Sequence, residues 1–293
     1  MSVEERDPQT GYLMTGHEWN GIKELNTPVP RLVYVSLIIT FVFSVVYWVL
    51  MPAFPTWSSF TRGLLGADDR AAVTASVKQA AVARSAWTDQ IASRSFAQIE
   101  ADPALMTAVR DTGRTLFGDN CAVCHGLDAK GGKGFPNLTT SSWLFGGSPE
   151  AIEQTIRVGI NSTHPDTRIA QMPAFGRDGI LKRDEIENVV AYVRSLSDTK
   201  AAATIPPATI EQGKAVFAAN CAACHGPEAK GNPEVGAPNL ITHYYMHGRD
   251  ENALYADVWG GLKGHMPGWE GRLSPVDRKI LTLYLIDLGK KRP

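Results

Sequence analysis

The sequence predicts a mainly α-helical protein: one transmembrane helix, a helical spacer, then two tandem copies of one small helical domain. Three observations predict it. An uncharged apolar run of 19 residues, Leu32 to Leu50, lies near the amino end. The pattern Cys-x-x-Cys-His occurs twice, in FGDNCAVCHG (Phe117 to Gly126) and FAANCAACHG (Phe217 to Gly226), and uses all four cysteines. Around these motifs the halves repeat: Gly113, Phe117, Asn120 and Cys121 return one hundred positions later as Gly213, Phe217, Asn220 and Cys221.

The order of parts follows. Residues 1–30 form an amino-terminal segment, and 31–57 the membrane helix. At 1.5 Å per residue the apolar run crosses roughly 30 Å of hydrocarbon. Tyr47, Trp48 and Trp57 suit an interfacial belt, while Pro52 and Pro55 mark the exit. A cleaved signal peptide is the competing reading. The run is long for one, five acidic residues precede it, and no small-residue cleavage pattern follows. Arg6, Lys23 and Arg31 before the span outnumber Arg62 and Arg70 after it, which biases the amino end toward the cytoplasm. The net charge of −1 offers no electrostatic footprint for nucleic acid.

Residues 58–101 read as a spacer, helical over its Ala-rich stretch with Val73, Val77, Ala80 and Ile91. Asp102-Pro103 then forms a cap and first-turn pair that opens the first repeat, 102–198. Its Pro136-Asn137-Leu138 matches Pro238-Asn239-Leu240 in the second repeat, 210–293, and QMPAF around Met172 matches HMPGW around Met266. Each repeat closes with an apolar stripe at helical spacing, Leu181, Val189, Tyr192, Val193 and Leu196 against Leu273, Leu281, Tyr284, Leu285 and Leu288. Asp184 and Ser274 are the expected starts of these helices. Between the repeats, TKAAATIPPAT (199–209) reads as a linker, so the repeats are expected to be separate, tethered modules.

Cys-x-x-Cys-His is the attachment pattern of haem c. Cys121 and Cys124, and likewise Cys221 and Cys224, lie one helical turn apart, where each thiol can form a thioether with a haem vinyl group. His125 and His225 follow directly and reach over the porphyrin face to bind iron. A redox disulfide or half of a zinc site would explain the cysteines, but not the histidine after each pair. Two covalent haems c also supply apolar area that repeats of roughly 80 to 95 residues lack. Met172 downstream of the first motif and Met266 downstream of the second are the expected sixth ligands, each on a strap stiffened by the next proline. His164, His243, His247 and His265 compete with them, and their default reading is an ordinary surface or hydrogen-bonded histidine. His17 lies outside both repeats.

Each half resembles a class I cytochrome c. That resemblance implies that the carbonyls of Pro136 and Pro238 accept a hydrogen bond from His125 and His225. The stretch TGHEWNGIKELNTPVPR (Thr15 to Arg31) resembles the signature of the dihaem subunit III, CcoP or FixP, of cbb3-type haem–copper oxidases. MPAFP resembles that family's exit motif, with Met51 where tyrosine is common. The resemblance covers the whole chain and implies an electron relay with no catalytic residue of its own. A donor cytochrome c would reduce one haem, and electrons would pass to the monohaem subunit and the catalytic subunit, where dioxygen becomes water. It further implies a bacterial inner membrane with its lipid around one span, the amino terminus cytoplasmic and the haem domains periplasmic. A free-standing anchored dihaem carrier, a dihaem peroxidase and a gas sensor or assembly factor are the alternatives.

Overall fold

The protein is described here from a computed structural model, over residues 5–140, 142–242 and 245–290. It divides into two compact units, Met1–Ala83 and Arg84–Pro293. In the first unit, Asn20 and Gly21 both take positive φ, 48° and 84°. Asn-Gly is the pair that closes a two-residue hairpin of matching twist, and it joins β1 (Met14–Trp19) to β2 (Ile22–Leu25). Prolines 28 and 30 end the hairpin, and α1 (Arg31–Leu50) starts directly after Pro30. This helix is apolar on every side and buries none of its residues against protein. Its aliphatic hydroxyls, on Ser36, Thr40 and Ser44, donate back to the carbonyls of Leu32, Ser36 and Thr40 at 2.8–2.9 Å. A polar group satisfied inside its own helix suits a hydrocarbon solvent. A short hairpin, β3 (Pro55–Thr56) with β4 (Ser59–Phe60), follows the exit. Next, α2 (Asp69–Ser93) opens on Asp68, whose carboxylate accepts from the Ala71 amide at 2.9 Å.

The second unit takes in the last turns of α2, where Ile91 is fully buried. Ser95 and Gln98 form a capping box for α3 (Phe96–Glu100). As expected, Asp102 caps α4 (Pro103–Asn120), accepting from the amides of Ala104 and Leu105 at 3.0 and 3.2 Å. Along α4, Leu105, Val109, Gly113 and Phe117 fall four residues apart and form one buried stripe. The chain continues through α5 (Ala122–His125), α6 (Pro149–Val158), α7 (Arg183–Ser197), α8 (Thr199–Thr204), α9 (Pro207–Asn220), α10 (Ala222–His225), α11 (Glu251–Gly260) and α12 (Pro275–Lys290). Helix α12 starts where Ser274 and Asp277 cap each other, whereas α7 starts at Arg183, one residue before Asp184.

The expectation of separate modules joined by a loop is corrected here. Most of 199–209 is helical, Ala201 is buried, and one unit holds both repeats. The repeats have exchanged their closing helices. Helix α12 of the second repeat packs on α4 and α6 of the first, while α7 of the first packs on α9 and α11 of the second. At each crossing a glycine admits a tyrosine. A Cβ on Gly113 would lie 2.7 Å from Tyr284 Cβ, and one on Gly213 would lie 2.8 Å from Tyr192 Cβ. Phe117 stands 6.0 Å from the Tyr284 ring, and Phe217 stands 5.4 Å from that of Tyr192. Charged contacts reinforce the exchange: Arg110 makes a two-pronged bond to Asp287 at 3.0 and 2.9 Å, and Arg278 meets Glu153 at 2.7 Å. Because the repeats share the same glycine–aromatic lock, either closing helix suits either opening helix.

Candidate haem sites

Each Cys-x-x-Cys-His motif makes one helical turn after its opening helix. The amides of His125 and His225 bond to the carbonyls of Cys121 and Cys221 at 3.0 and 2.9 Å, in α5 and α10. That turn stacks the two cysteines of each motif and delivers the histidine at its end. His125 Nδ1 lies 3.2 Å from the Pro136 carbonyl, and His225 Nδ1 lies 3.0 Å from that of Pro238. A carbonyl only accepts, so Nδ1 carries the proton and Nε2 keeps its lone pair for a metal. Burial lowers the pKa of both imidazoles, with the proline bond opposing. Both therefore stay neutral, the form that binds iron. Burial pushes the Cys121 and Cys221 thiols up to about 11, with Cys124 and Cys224 adding to the effect.

The methionine straps cross between the repeats. Met266 exchanges two backbone hydrogen bonds with Ile160, both at 2.9 Å. Its side chain joins the core of Phe117, Ile152 and Ile156, together with Cys121 and Ala122. Met172 exchanges its two with Leu262, at 2.8 and 3.1 Å, and packs with Phe175, Ile186, Val190, Leu254 and Val216. Val216 also packs with Phe217, Cys221 and Ala222. Met266 thus belongs beside the His125 motif, and Met172 beside the His225 motif. The glycines ending α6 and α11 allow it. A Cβ on Gly159 would lie 2.3 Å from the Met266 carbonyl oxygen, and one on Gly261 would lie 2.6 Å from that of Met172.

Both motifs and both straps line one continuous cavity of about 1450 Å³. That exceeds the ~300–1,000 Å³ of a single small-molecule pocket. The donor set fits haem c at both ends: two thiols on one turn, an oriented neutral imidazole and a thioether held by a proline strap. Zinc would need a third or fourth ligand nearby, and the described residues contain no group of three or more His, Cys, Asp or Glu placed to hold a metal ion.

Of the other histidines, His164 has both ring nitrogens engaged: Nε2 meets Glu270 at 2.7 Å, and Nδ1 accepts from the Asp166 amide at 3.0 Å. His265 is exposed, with Nδ1 bonded to the Asn161 carbonyl at 2.9 Å. His247 lines the cavity against Gly134. His17 is exposed in β1, and His243 lies outside the described residues. Reading the sequence alone missed Gly159, Gly261 and Arg168, all of which bear on the site. A signal for the two glycines existed, because each ends the helix before its strap at the same place in the repeat.

Comparison with known proteins agrees along the whole chain. Residues 11–58 match the N-terminal domain of cytochrome oxidase-cbb3, FixP, and residues 111–197 match cytochrome c. Residues 208–285 match cytochrome C oxidase, cbb3-type, subunit III. The chain is 47% identical over 285 residues to the cbb3-type cytochrome c oxidase subunit FixP of Bradyrhizobium sp. (strain ORS 278), covering 97% of each chain. It is 45% identical to that of Bradyrhizobium diazoefficiens, again over 97% of both. With the CcoP subunit of Azospirillum brasilense it shares 40% identity over 99% of both chains. An anchor, two cytochrome c domains in tandem and these end-to-end likenesses lead to one conclusion: the chain belongs to the FixP/CcoP family of cbb3-type cytochrome c oxidase subunits.

Proposed function

We propose that this chain holds two covalent haems c and relays electrons from a donor cytochrome c to the monohaem and catalytic subunits of a cbb3-type oxidase. The single observation that carries the reading is the continuous cavity lined by both Cys-x-x-Cys-His motifs and both methionine straps. A haem bound there supplies one-electron transfer. Cys121 and Cys124 tether one and Cys221 and Cys224 the other, which prevents loss of the carrier. His125 and Met266 would hold the first iron, and His225 and Met172 the second. Pro136 and Pro238 hold the imidazoles in the metal-binding tautomer. An imidazole and a thioether for each iron would suit electron transfer over ligand binding or peroxide chemistry.

Helix α1 is the one described helix long and apolar enough to cross a membrane, and it supports an anchored protein. Attachment of haem c takes place outside the bacterial inner membrane, so both haem domains belong in the periplasm and the amino terminus in the cytoplasm. The exposed β1–β2 hairpin within the matched FixP segment is the docking element for the oxidase core. The test is to purify the oxidase with and without this chain and mix each rapidly with reduced cytochrome c. Two covalent haems per chain are expected, with donor oxidation slowed when the chain is missing and artificial donors still consumed. Equal donor oxidation by the depleted core would sink the relay.

A further inference from the structure

We propose that Arg168 is a propionate anchor, its half-buried guanidinium taking a carboxylate of the haem that His125 and Met266 would hold. The inference rests on the covalent-haem reading above. Its origin is an unpaired donor. Arg168 Nε is the one buried side-chain nitrogen or oxygen, among the described residues, that has no hydrogen-bond partner. Burial alone lowers the pKa of this guanidinium, with no carboxylate of the chain acting on it. A fully buried N–H without an acceptor, on a cation partly withdrawn from water, is costly, so an anion from outside the polypeptide is the expected partner.

The guanidinium is also held in place. It lies over the Phe145 ring at 4.8 Å, and Nη2 donates to the Ala151 carbonyl at 3.1 Å. The backbone is clamped as well: the Arg168 amide bonds to Gly159 at 3.1 Å, and the Asn161 amide bonds to the Arg168 carbonyl at 2.8 Å. Arg168 therefore stands next to Ile160, the residue that pairs with Met266. Ala151 is on α6, whose Ile152 and Ile156 belong to the core against which Met266 packs. Arg168 lines the shared cavity, and haem carries two propionate carboxylates into any cavity it fills. A planar fork already oriented by stacking is the side chain best matched to such a group.

The second repeat has no arginine at the corresponding place in its strap, although Lys230 and Lys263 also line the cavity. Between Gly261 and Met266 it has four residues, Leu262 to His265, where the first repeat has twelve, Ile160 to Gln171. The one cation among those four, Lys263, is exposed. Arg168 thus makes the two haems electrostatically unequal, because a fixed positive charge favours the reduced iron beside it.

The experiment uses the full chain in detergent. A haem-stained denaturing gel counts covalent haem, potentiometric titration resolves the two redox components, and reduced-minus-oxidised infrared spectra read the carboxylates. In Arg168→Gln one component should move to lower potential while the other holds, and a carboxylate band should shift. The moving component should be the one that turns high-spin in Met266→Leu. Arg168→Lys keeps the charge and loses the fork, so it should move the potential less while still shifting the band. That variant carries the test if Arg168→Gln does not accumulate. Absence of covalent haem in the unaltered chain would sink the underlying haem reading instead. Two haems with both potentials and all carboxylate bands unchanged would overturn the anchor, as would a shift confined to the other component.

Discussion

Met266 and Ile160, from opposite repeats, exchange both of their backbone hydrogen bonds at 2.9 Å. This pair, mirrored by Met172 with Leu262, carries each methionine across to the other repeat's motif. The consequence is testable. In a chain whose first motif is disabled by Cys121→Ala and Cys124→Ala, one haem remains on Cys221 and Cys224. Met172→Leu in that background should make it partly high-spin, able to bind carbon monoxide when reduced, and lower in potential. Met266→Leu should leave it low-spin. Absorption and magnetic circular dichroism spectra decide, and the reverse outcome would restore the chain-order pairing.

The glycines beneath the crossings set a second expectation. Gly113→Ala puts a methyl group 2.7 Å from Tyr284 Cβ and should cost about 1–3 kcal/mol by overpacking α4 against α12. Thermal unfolding would register it as a lower midpoint with the spectrum unchanged. Gly159→Ala meets the Met266 carbonyl oxygen at 2.3 Å at a φ of 71°. It should displace the strap and raise the high-spin fraction of one haem only.

Helix α12 is tied to α6 by Arg278, whose side chain is 8% exposed and meets Glu153 at 2.7 Å. Glu153 is only partly exposed, so removing the buried Arg278 strands a carboxylate with limited access to water. Arg278→Ala should therefore cost about 3–5 kcal/mol, seen as a drop in the unfolding midpoint. Replacing Arg278 and Glu153 together by apolar residues should recover part of that loss.

Truncation separates the units. An exported fragment beginning at Arg84 retains all of the second unit and should carry two haems yet fail to join the oxidase core. One beginning at Asp102 lacks Ile91 and Ile99, both fully buried. Losing a buried isoleucine costs roughly 2–5 kcal/mol, so this shorter fragment should yield less haem-loaded protein. Co-purification with the core and haem staining check both. Normal incorporation of the Arg84 fragment would show that α1 and the hairpin are dispensable.

Topology is checked by reporter fusions. A fusion after Trp57 should behave as exported, and one before Arg31 as cytoplasmic. A cytoplasmic signal after Trp57 would invert the proposed orientation.

Local chemistry was legible in the chain itself. The paired Cys-x-x-Cys-His motifs, the Met-Pro straps, the Asp102 cap and the uncharged run from Leu32 to Leu50 all depend on neighbours within a turn or two. Pro136 and Pro238 were placed by resemblance, and each stands within hydrogen-bond reach of its histidine. The partnership of the repeats was not legible. Gly113 and Gly213 offer the same notch, Tyr284 and Tyr192 the same ring, and Gly159 and Gly261 the same floor beneath a strap. Two similar locks and two similar keys leave sequence order as the only guide, and sequence order carries no energy. Only packing in three dimensions, with pairs such as Arg110 with Asp287, shows the crossed arrangement. Arg168 was hidden for a related reason: an unpaired Nε is defined by what surrounds it, and its surroundings come from α6, Phe145 and the strap segment only once they are folded together.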